Sequence, residues 1–303
     1  MTDHVINRDG ESLFVTAQDG LRLHVRRYGA ANAPGLPIVC LPGLARTAED
    51  FVALAKTLAA DTAAPRRVFA LDYRGRGQSG YDRDPANYNF TVELADILAV
   101  LSALDIGRAV FVGTSRGGLL TMLLAAARPG AIAGAVLNDI GPAIEPKGLM
   151  RIKGYVGKLP EPQTFEEGAE ILRRLFDMQF PKLTAEDWQA FARRSWTEQK
   201  GRLRPTYDVR LAATLKGVEM SRPLPPLWNE FDALAQIPLL VVRGANSDIL
   251  SPETVEAMRQ RRQPTGGLAM ETLEVSDQGH APLLVEPEII ARIGDFARRC
   301  AIA

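Results

Sequence analysis

Ala109-Val110-Phe111-Val112-Gly113-Thr114-Ser115-Arg116-Gly117-Gly118 is the stretch on which the reading of this chain turns. Ala109–Val112 reads as a short apolar strand, and the residues from Ser115 to Ala127 read as a helix. Between them Gly113-Thr114-Ser115-Arg116-Gly117 fits G-x-S-x-G. Three fixed positions in five recur by chance, so the weight lies in the strand–turn–helix setting, which lifts a serine off the sheet on a strained backbone. Neighbours bearing a Cβ would clash at such a turn, which is why glycine flanks the serine. The helix N-terminus brings main-chain N–H groups and a positive dipole end beside the hydroxyl. Ser115 is therefore the candidate nucleophile.

A serine nucleophile needs a base with a pKa near neutrality. The chain offers three histidines. His4 lies in a polar tail and His24 in the strand-like Leu21-Arg22-Leu23-His24-Val25, so both read as structural. His280, in Gln278-Gly279-His280-Ala281-Pro282, sits in a loop between a strand and a helix and is the expected base. The third member, an acid that orients the imidazole, is expected to be Asp248, directly after the strand Leu239–Arg243. Asp139, after the strand Ile132–Leu137, and Asp277 are its rivals.

Outward from the elbow, strand-like and helix-like segments alternate. Leu13–Gln18 and Leu21–Tyr28 read as a hairpin joined at Asp19-Gly20. Strands at Pro37–Leu41 and Arg67–Leu71 flank a helix-like stretch at Ala48–Ala60. Leu94, Ile97, Leu98, Leu101 and Leu104 fall at helical spacing and predict one buried stripe. Such alternation argues for an α/β fold, a mostly parallel sheet flanked by helices. The rhythm breaks at Gly141-Pro142: helical patterns at Phe165–Met178 and Ala185–Glu198 follow, with no convincing strand. Alternation returns with Leu239–Arg243, Pro252–Arg261, Ala269–Val275 and Pro287–Cys300. The expectation is a core of residues 1–142 and 227–303, with a helical cap inserted at 143–226 and Pro223-Leu224-Pro225-Pro226 as the stiff return link.

Composition narrows the function classes. A 303-residue chain that is 46% hydrophobic can bury a large single core. Its 36 basic residues balance 36 acidic ones, which gives no bulk support for nucleic-acid binding. Cys40 and Cys300 lack the spacing of a disulfide framework or a zinc site and read as reduced thiols. The longest apolar stretch, Leu119 to Ala127, is too short for a membrane span, and no apolar signal region opens the chain. The expectation is a cytoplasmic protein that acts on a small-molecule ester, with no metal or organic cofactor and no nucleic-acid or membrane partner; a homodimer stays open.

Gly75-Arg76-Gly77-Gln78-Ser79-Gly80 matches G-x-G-x-x-G after a strand. A dinucleotide fingerprint also needs a helix opening at the glycines. Here Tyr81-Asp82-Arg83-Asp84-Pro85-Ala86-Asn87 follows, a polar loop, and the helix waits until about Thr91. The motif reads as a glycine-rich loop.

Over essentially its whole length the sequence resembles the α/β-hydrolase superfamily. The resemblance rests on Leu41-Pro42-Gly43-Leu44, Asp72-Tyr73-Arg74-Gly75-Arg76-Gly77-Gln78-Ser79, the elbow, the loop Arg243-Gly244-Ala245-Asn246-Ser247-Asp248 and Gly279-His280-Ala281-Pro282, in the family's order. It implies the triad order Ser115, Asp248, His280, an eight-stranded mixed sheet with a cap after the sixth strand, and an oxyanion hole from the backbone N–H of Leu44 and of Arg116. Two departures stand out. Pro42 replaces a histidine that braces the oxyanion loop in many relatives, and Arg116 follows the nucleophile where small or apolar residues are common. A buried guanidinium needs a carboxylate, with Asp139 or Glu49 the expected partner; the alternative is a solvent-facing Arg116 that touches substrate carboxylates.

The implied reaction is acyl transfer to water through an acyl-enzyme, with rate falling below about pH 6.5 where a reference imidazole becomes charged. The 143–226 segment carries 15 Lys/Arg against 11 Asp/Glu, which leaves room for acidic products such as hydroxy-acid oligomers. A carboxylesterase is the first expectation. A carbon–carbon bond hydrolase with the same triad and a non-catalytic ligand receptor are the alternatives.

Overall fold

The computed structural model describes residues 10–219, 224–262 and 268–300. The first half runs β1 (Glu11–Thr16), β2 (Arg22–Tyr28), β3 (Gly35–Leu41), α1 (Val52–Ala59), β4 (Arg66–Asp72), α2 (Phe90–Ala103), β5 (Ala109–Thr114), α3 (Arg116–Ala127) and β6 (Ile132–Asn138). An insertion follows, with α4 (Pro146–Tyr155), α5 (Phe165–Phe176), α6 (Ala185–Ser195), β7 (Trp196–Gln199) and β8 (Arg202–Pro205). The chain ends with α7 (Trp228–Asp232), β9 (Leu239–Gly244), α8 (Pro252–Arg262), β10 (Met270–Val275) and α9 (Pro287–Cys300). His4 and Pro223 lie outside the described residues.

Eight strands form one sheet in the order β1-β2-β4-β3-β5-β6-β9-β10. Pairings from β4 through β10 are parallel, whereas β2 pairs antiparallel with both β1 and β4. This is the α/β-hydrolase fold. Every residue of β6 and β9 is buried, and β5 is buried up to Val112 and Gly113, because helices cover both faces. At the edges β1 and β10 alternate between buried and exposed positions instead. Gly20 closes the first hairpin at φ 85°, a conformation that favours glycine.

The stripe on α2 packs as the periodicity predicts, but it shares its inner face with two acids. Glu93 and Asp96 are buried beside Ile97, Val100 and Leu101. Asp96 accepts a bidentate pair from Arg74 at 2.7 Å for each bond, and Glu93 meets Arg76 and Arg116. Paired in this way, buried charges are tolerated. The arginines come from the loop after β4 and from the elbow.

The insertion contains two strands that the sequence reading lacked. The helix expected to run to Glu198 ends at Ser195, where Trp196 turns extended and starts β7. Lys200 and Gly201 join β7 to β8 with φ of 53° and 73°, the signature of a two-residue type I′ hairpin. Trp196 is buried and anchors this hairpin against α5 and α6, in a cluster with Leu172, Phe176, Trp188 and Phe191. Thr184 and Asp187 form a capping box at the start of α6.

Candidate active site

The carboxyl ends of the central parallel strands share one edge. Leu41 pairs with Gly113, Thr114 with Asn138, and Asn138 with Val242, so the loops after β3, β5, β6 and β9 open side by side. Ser115 stands in the second of these loops at φ 50°, a strained conformation for a residue with a Cβ. Space dictates the flanking glycines. A Cβ on Gly113 would lie 2.5 Å from the Gly117 carbonyl carbon, and one on Gly117 would lie 2.0 Å from the Leu41 carbonyl oxygen.

His280 Nε2 lies 2.8 Å from Ser115 Oγ, and His280 Nδ1 lies 2.8 Å from Asp139 Oδ2. The structure thus brings Ser115 and His280 together, with Asp139 as the carboxylate behind the ring. Asp248, the expected acid, does not take that place. Its carboxylate accepts a bidentate pair from Arg151 of α4 at 2.6 and 2.7 Å. Burial pushes the Asp248 carboxyl up, but the Arg151 hydrogen bonds and charge outweigh it and hold the pKa below the usual aspartate value. Asp277 makes no hydrogen bond to the ring either.

Why Asp139 wins is legible in its surroundings. It follows β6 at φ 56°, its side chain is fully buried, and its N–H donates to Val242 O at 2.7 Å. Gly244 N–H donates to Oδ1 at 2.8 Å, and the Ser247 hydroxyl donates to Oδ2 at 2.5 Å. Two donors from one loop fix this carboxylate, which in turn fixes the imidazole. The loop that carried the expected acid supplies both of them. Sequence reasoning singled out the right loop and assigned it the wrong task.

Gln179 of the insertion is another residue that the sequence reading missed. Its side-chain oxygen accepts from His280 N–H at 2.9 Å, while its amide donates to Asn246 O at 3.1 Å. Gly279 makes this approach feasible, since a Cβ there would lie 2.0 Å from the Gln179 side-chain oxygen. The insertion therefore bonds directly to the histidine loop.

Among the described residues, neither the Leu44 nor the Arg116 main-chain N–H has an acceptor within the chain. Leu44 follows the sharp turn at Gly43, and Arg116 opens α3. The brace lost with Pro42 has substitutes. The Tyr73 hydroxyl donates to Pro42 O at 3.2 Å, and Arg76 Nε donates to Leu44 O at 2.9 Å. Burial pushes the Tyr73 hydroxyl well above the ordinary tyrosine pKa, so it stays a donor.

The Arg116 side chain is buried and points away from the cavity. Its Nε donates to Glu93 Oε2 at 2.6 Å, and its guanidinium lies 4.1 Å from the centre of the Phe90 ring. Neither expected partner is used: Asp139 serves His280, and Glu49 pairs with Arg26. Arg76 also reaches Glu93, at 2.7 Å, so two guanidiniums share one carboxylate beneath the site. The glycine-rich loop is occupied by the protein itself. Asp72 accepts from Ala48 N and Gln78 N, and a Cβ on Gly77 would lie 2.1 Å from the Asp72 carboxylate.

A cavity of about 120 Å³ opens beside Ser115 and His280. Gly43, Leu44 and Arg46 line it from the core, and Ile152, Tyr155, Phe176, Phe191 and Arg194 line it from the insertion. The wall is mostly apolar, with two arginines in it. Cys40 and Cys300 are buried and unpaired. No group of metal-ligating side chains is found among the described residues, and no described helix is long and apolar enough to cross a membrane.

The fold and this edge define the class: residues 38–293 match the alpha/beta hydrolase family model, and the chain belongs to that family. It is therefore a hydrolase by family. The 3-hydroxybutyrate-oligomer hydrolase of Cupriavidus necator is 33% identical to it over 299 residues, covering 93% of this chain and 96% of that protein. A crystal structure of an alpha/beta hydrolase from Novosphingobium aromaticivorans superimposes with a TM-score of 0.87 at 42% identity, covering 96% of this chain and 99% of that one. A hydrolase structure from Rickettsia typhi shares the fold at 24% identity, with a TM-score of 0.80 over 96% and 98% of the two chains.

Proposed function

We propose that the protein hydrolyses small carboxylic esters through an acyl-enzyme on Ser115, with short hydroxy-acid ester oligomers as its substrate class. The hydrogen-bonded line Ser115 Oγ–His280 Nε2–His280 Nδ1–Asp139, each link 2.8 Å, carries the reading. The similarity to a 3-hydroxybutyrate-oligomer hydrolase along nearly the full chain supports the substrate class.

In the first step Ser115 Oγ attacks the ester carbonyl carbon while His280 Nε2 takes its proton. Asp139 holds the ring with Nδ1–H directed at its carboxylate and stabilises the imidazolium that forms. The oxyanion meets the N–H groups of Leu44 and Arg116, each such donor being worth about 3 kcal/mol, or ~10²–10³ in rate. The imidazolium then protonates the leaving alcohol oxygen as the tetrahedral intermediate collapses. Water enters, gives a proton to His280 and attacks the acyl-enzyme, and the acid product leaves as Ser115 regains its proton. The 143–226 segment acts as a cap, whose apolar helices suit acyl and alcohol groups of modest size.

The test pairs a fluorophosphonate probe with hydrolysis of p-nitrophenyl acetate and butyrate. We expect covalent labelling at Ser115 and turnover of both esters, with both lost in Ser115→Ala. A wild-type enzyme that neither takes the label nor turns over either ester would refute the reading.

A further inference from the structure

The cavity beside Ser115 is mostly apolar, yet two arginines share one carboxylate in its wall. Arg46 clasps Asp50 with Nε and Nη2, at 2.7 and 2.5 Å, and gives Nη1 to the Ser195 hydroxyl at 2.9 Å. Arg194, from α6, brings its Nε to 3.5 Å from the same Asp50 carboxylate. Both guanidiniums lie against the Phe191 ring, at 4.7 and 5.6 Å from its centre. Two guanidiniums against the one carboxylate in ion-pair reach leave this wall positive, with Asp187 and Glu49 acting on Arg194 only from farther off.

The excess falls on Arg194. Among the described residues, neither of its terminal nitrogens has an acceptor, whereas Arg46 is satisfied on all three nitrogens. Burial, opposed by Asp50, holds the Arg194 pKa below the usual arginine value, although the side chain keeps about a fifth of its surface open to solvent. Such a group gains strongly from an anionic acceptor, and its planar fork suits a carboxylate. The wall also stands close to the reacting centre. A point 3.3 Å from Arg46 Cγ, where a Gly43 Cβ would sit, lies 3.9 Å from Ser115 Cβ. Both arginines line the same cavity as Ser115 and His280, so a carboxylate on a bound ester can be offered to them.

We infer that Arg194, with Arg46 and their shared Asp50, binds the free carboxylate of the substrate, so that the site selects anionic esters over neutral ones. The inference rests on the ester-hydrolase reading and narrows it. A hydroxy-acid oligomer carries such a group by its own chemistry, because the alcohol released from its last ester linkage is itself an acid. Asp50 serves two ends: it keeps the empty site from holding two unpaired cations, and it orients Arg46 beside Arg194. The cap thus contributes a recognition charge as well as a roof.

The test compares kcat/KM for the linear dimer of 3-hydroxybutyrate and for its methyl ester, in the wild type, Arg194→Gln and Asp50→Asn. We expect the wild type to favour the free acid by roughly tenfold or more, in line with a hydrogen bond to a charged group. Arg194→Gln should shrink that ratio to near one, Arg194→Lys should restore part of it, and Asp50→Asn should raise it. Because each ratio is internal to one variant, partial loss of folded protein cancels. The wild-type ratio should also fall as salt rises. Calorimetric titration of Ser115→Ala and of Ser115→Ala/Arg194→Gln with 3-hydroxybutyrate separates this inference from the hydrolase reading. Binding that needs Arg194, without turnover of either ester, would sink the reaction and leave the carboxylate site. A ratio unaffected by Arg194→Gln, or a titration indifferent to it, would overturn the site.

Discussion

Two places in the molecule hold a serine, a histidine and an aspartate in the same order of hydrogen bonds. At the sheet's carboxyl edge the line is Ser115, His280, Asp139, with both links at 2.8 Å. On β1, β2 and β4 it is Ser12, His24, Asp72, with links of 3.0 and 2.7 Å. Distances alone do not tell them apart. Ser115 stands at φ 50° on an elbow before α3, beside unengaged main-chain donors and a mostly apolar cavity. Ser12 lies in regular strand, opposite Arg26, on the exposed edge of the sheet. Asp72 is also claimed by Ala48 N and Gln78 N, so it ties β4, the glycine-rich loop and the segment before α1 together. What makes a trio reactive is its setting: donors aimed where negative charge develops, and room for the reacting carbon. The second trio is a structural tie.

The largest effect should separate the serines. Ser115→Ala is expected to lower kcat/KM for p-nitrophenyl butyrate by about 10⁵–10⁶, the scale seen when a triad nucleophile is removed. Ser12→Ala should change it by less than about twofold, as for a surface position. Comparable losses in the two variants would erase the distinction. Next come the acids. Asp139→Asn should lower kcat by about 10⁴, the cost of holding the imidazole in the wrong tautomer. Asp248→Asn should cost less than about tenfold, acting only through the contact to Arg151 of α4. Steady-state kinetics on the two purified variants decides the matter, and a reversed order would return the acid's role to Asp248.

That reversal is a live question because the acid was the one member of the proposed triad that the sequence left ambiguous. The elbow is local: its glycine spacing, its strand and its helix are contiguous, and a short window contains every clash that dictates them. His280 emerges by elimination from three histidines. Asp139 and Asp248 both follow strands whose ends share the same edge, so strand position cannot choose between them. The choice is made by Gly244 N–H, the Ser247 hydroxyl and Arg151, contacts that span about a hundred positions of chain. The partner of Arg116 was hidden for a related reason. Glu93 lies on a helix whose periodicity predicts an apolar stripe, and an acid one step around from that stripe reads as solvated until two arginines are brought over it. The hairpin at 196–205 had a signal, Lys200-Gly201, that a helical reading of the preceding residues obscured.

A smaller effect should mark the second trio as structural. His24→Ala leaves the Asp72 carboxylate buried with only its main-chain donors, at a cost of about 2–3 kcal/mol. Urea unfolding should show the loss, while kcat of the folded variant on p-nitrophenyl butyrate stays close to wild type. A large drop in kcat at unchanged stability would place this trio in the chemistry after all.

The smallest effect concerns the carboxylate that the triad does not use, and its sign is fixed by the direction of its pKa. Arg151 holds the Asp248 carboxyl below the ordinary aspartate value despite burial. Below that folded value both states are protonated and the pair contributes nothing; above the ordinary value of about 3.9 the contribution is complete. Asp248→Asn should therefore be less stable than wild type by about 1–2 kcal/mol at pH 7. The gap should close as pH falls through the acid side of 4, followed by thermal unfolding of the two proteins across that range. The same titration should leave the difference between wild type and Ser12→Ala unmoved, because no ionisable group is lost there. A gap at Asp248 that stayed constant with pH would mean that its carboxylate is not held by charge, and the account of why it is free to leave His280 to Asp139 would go with it.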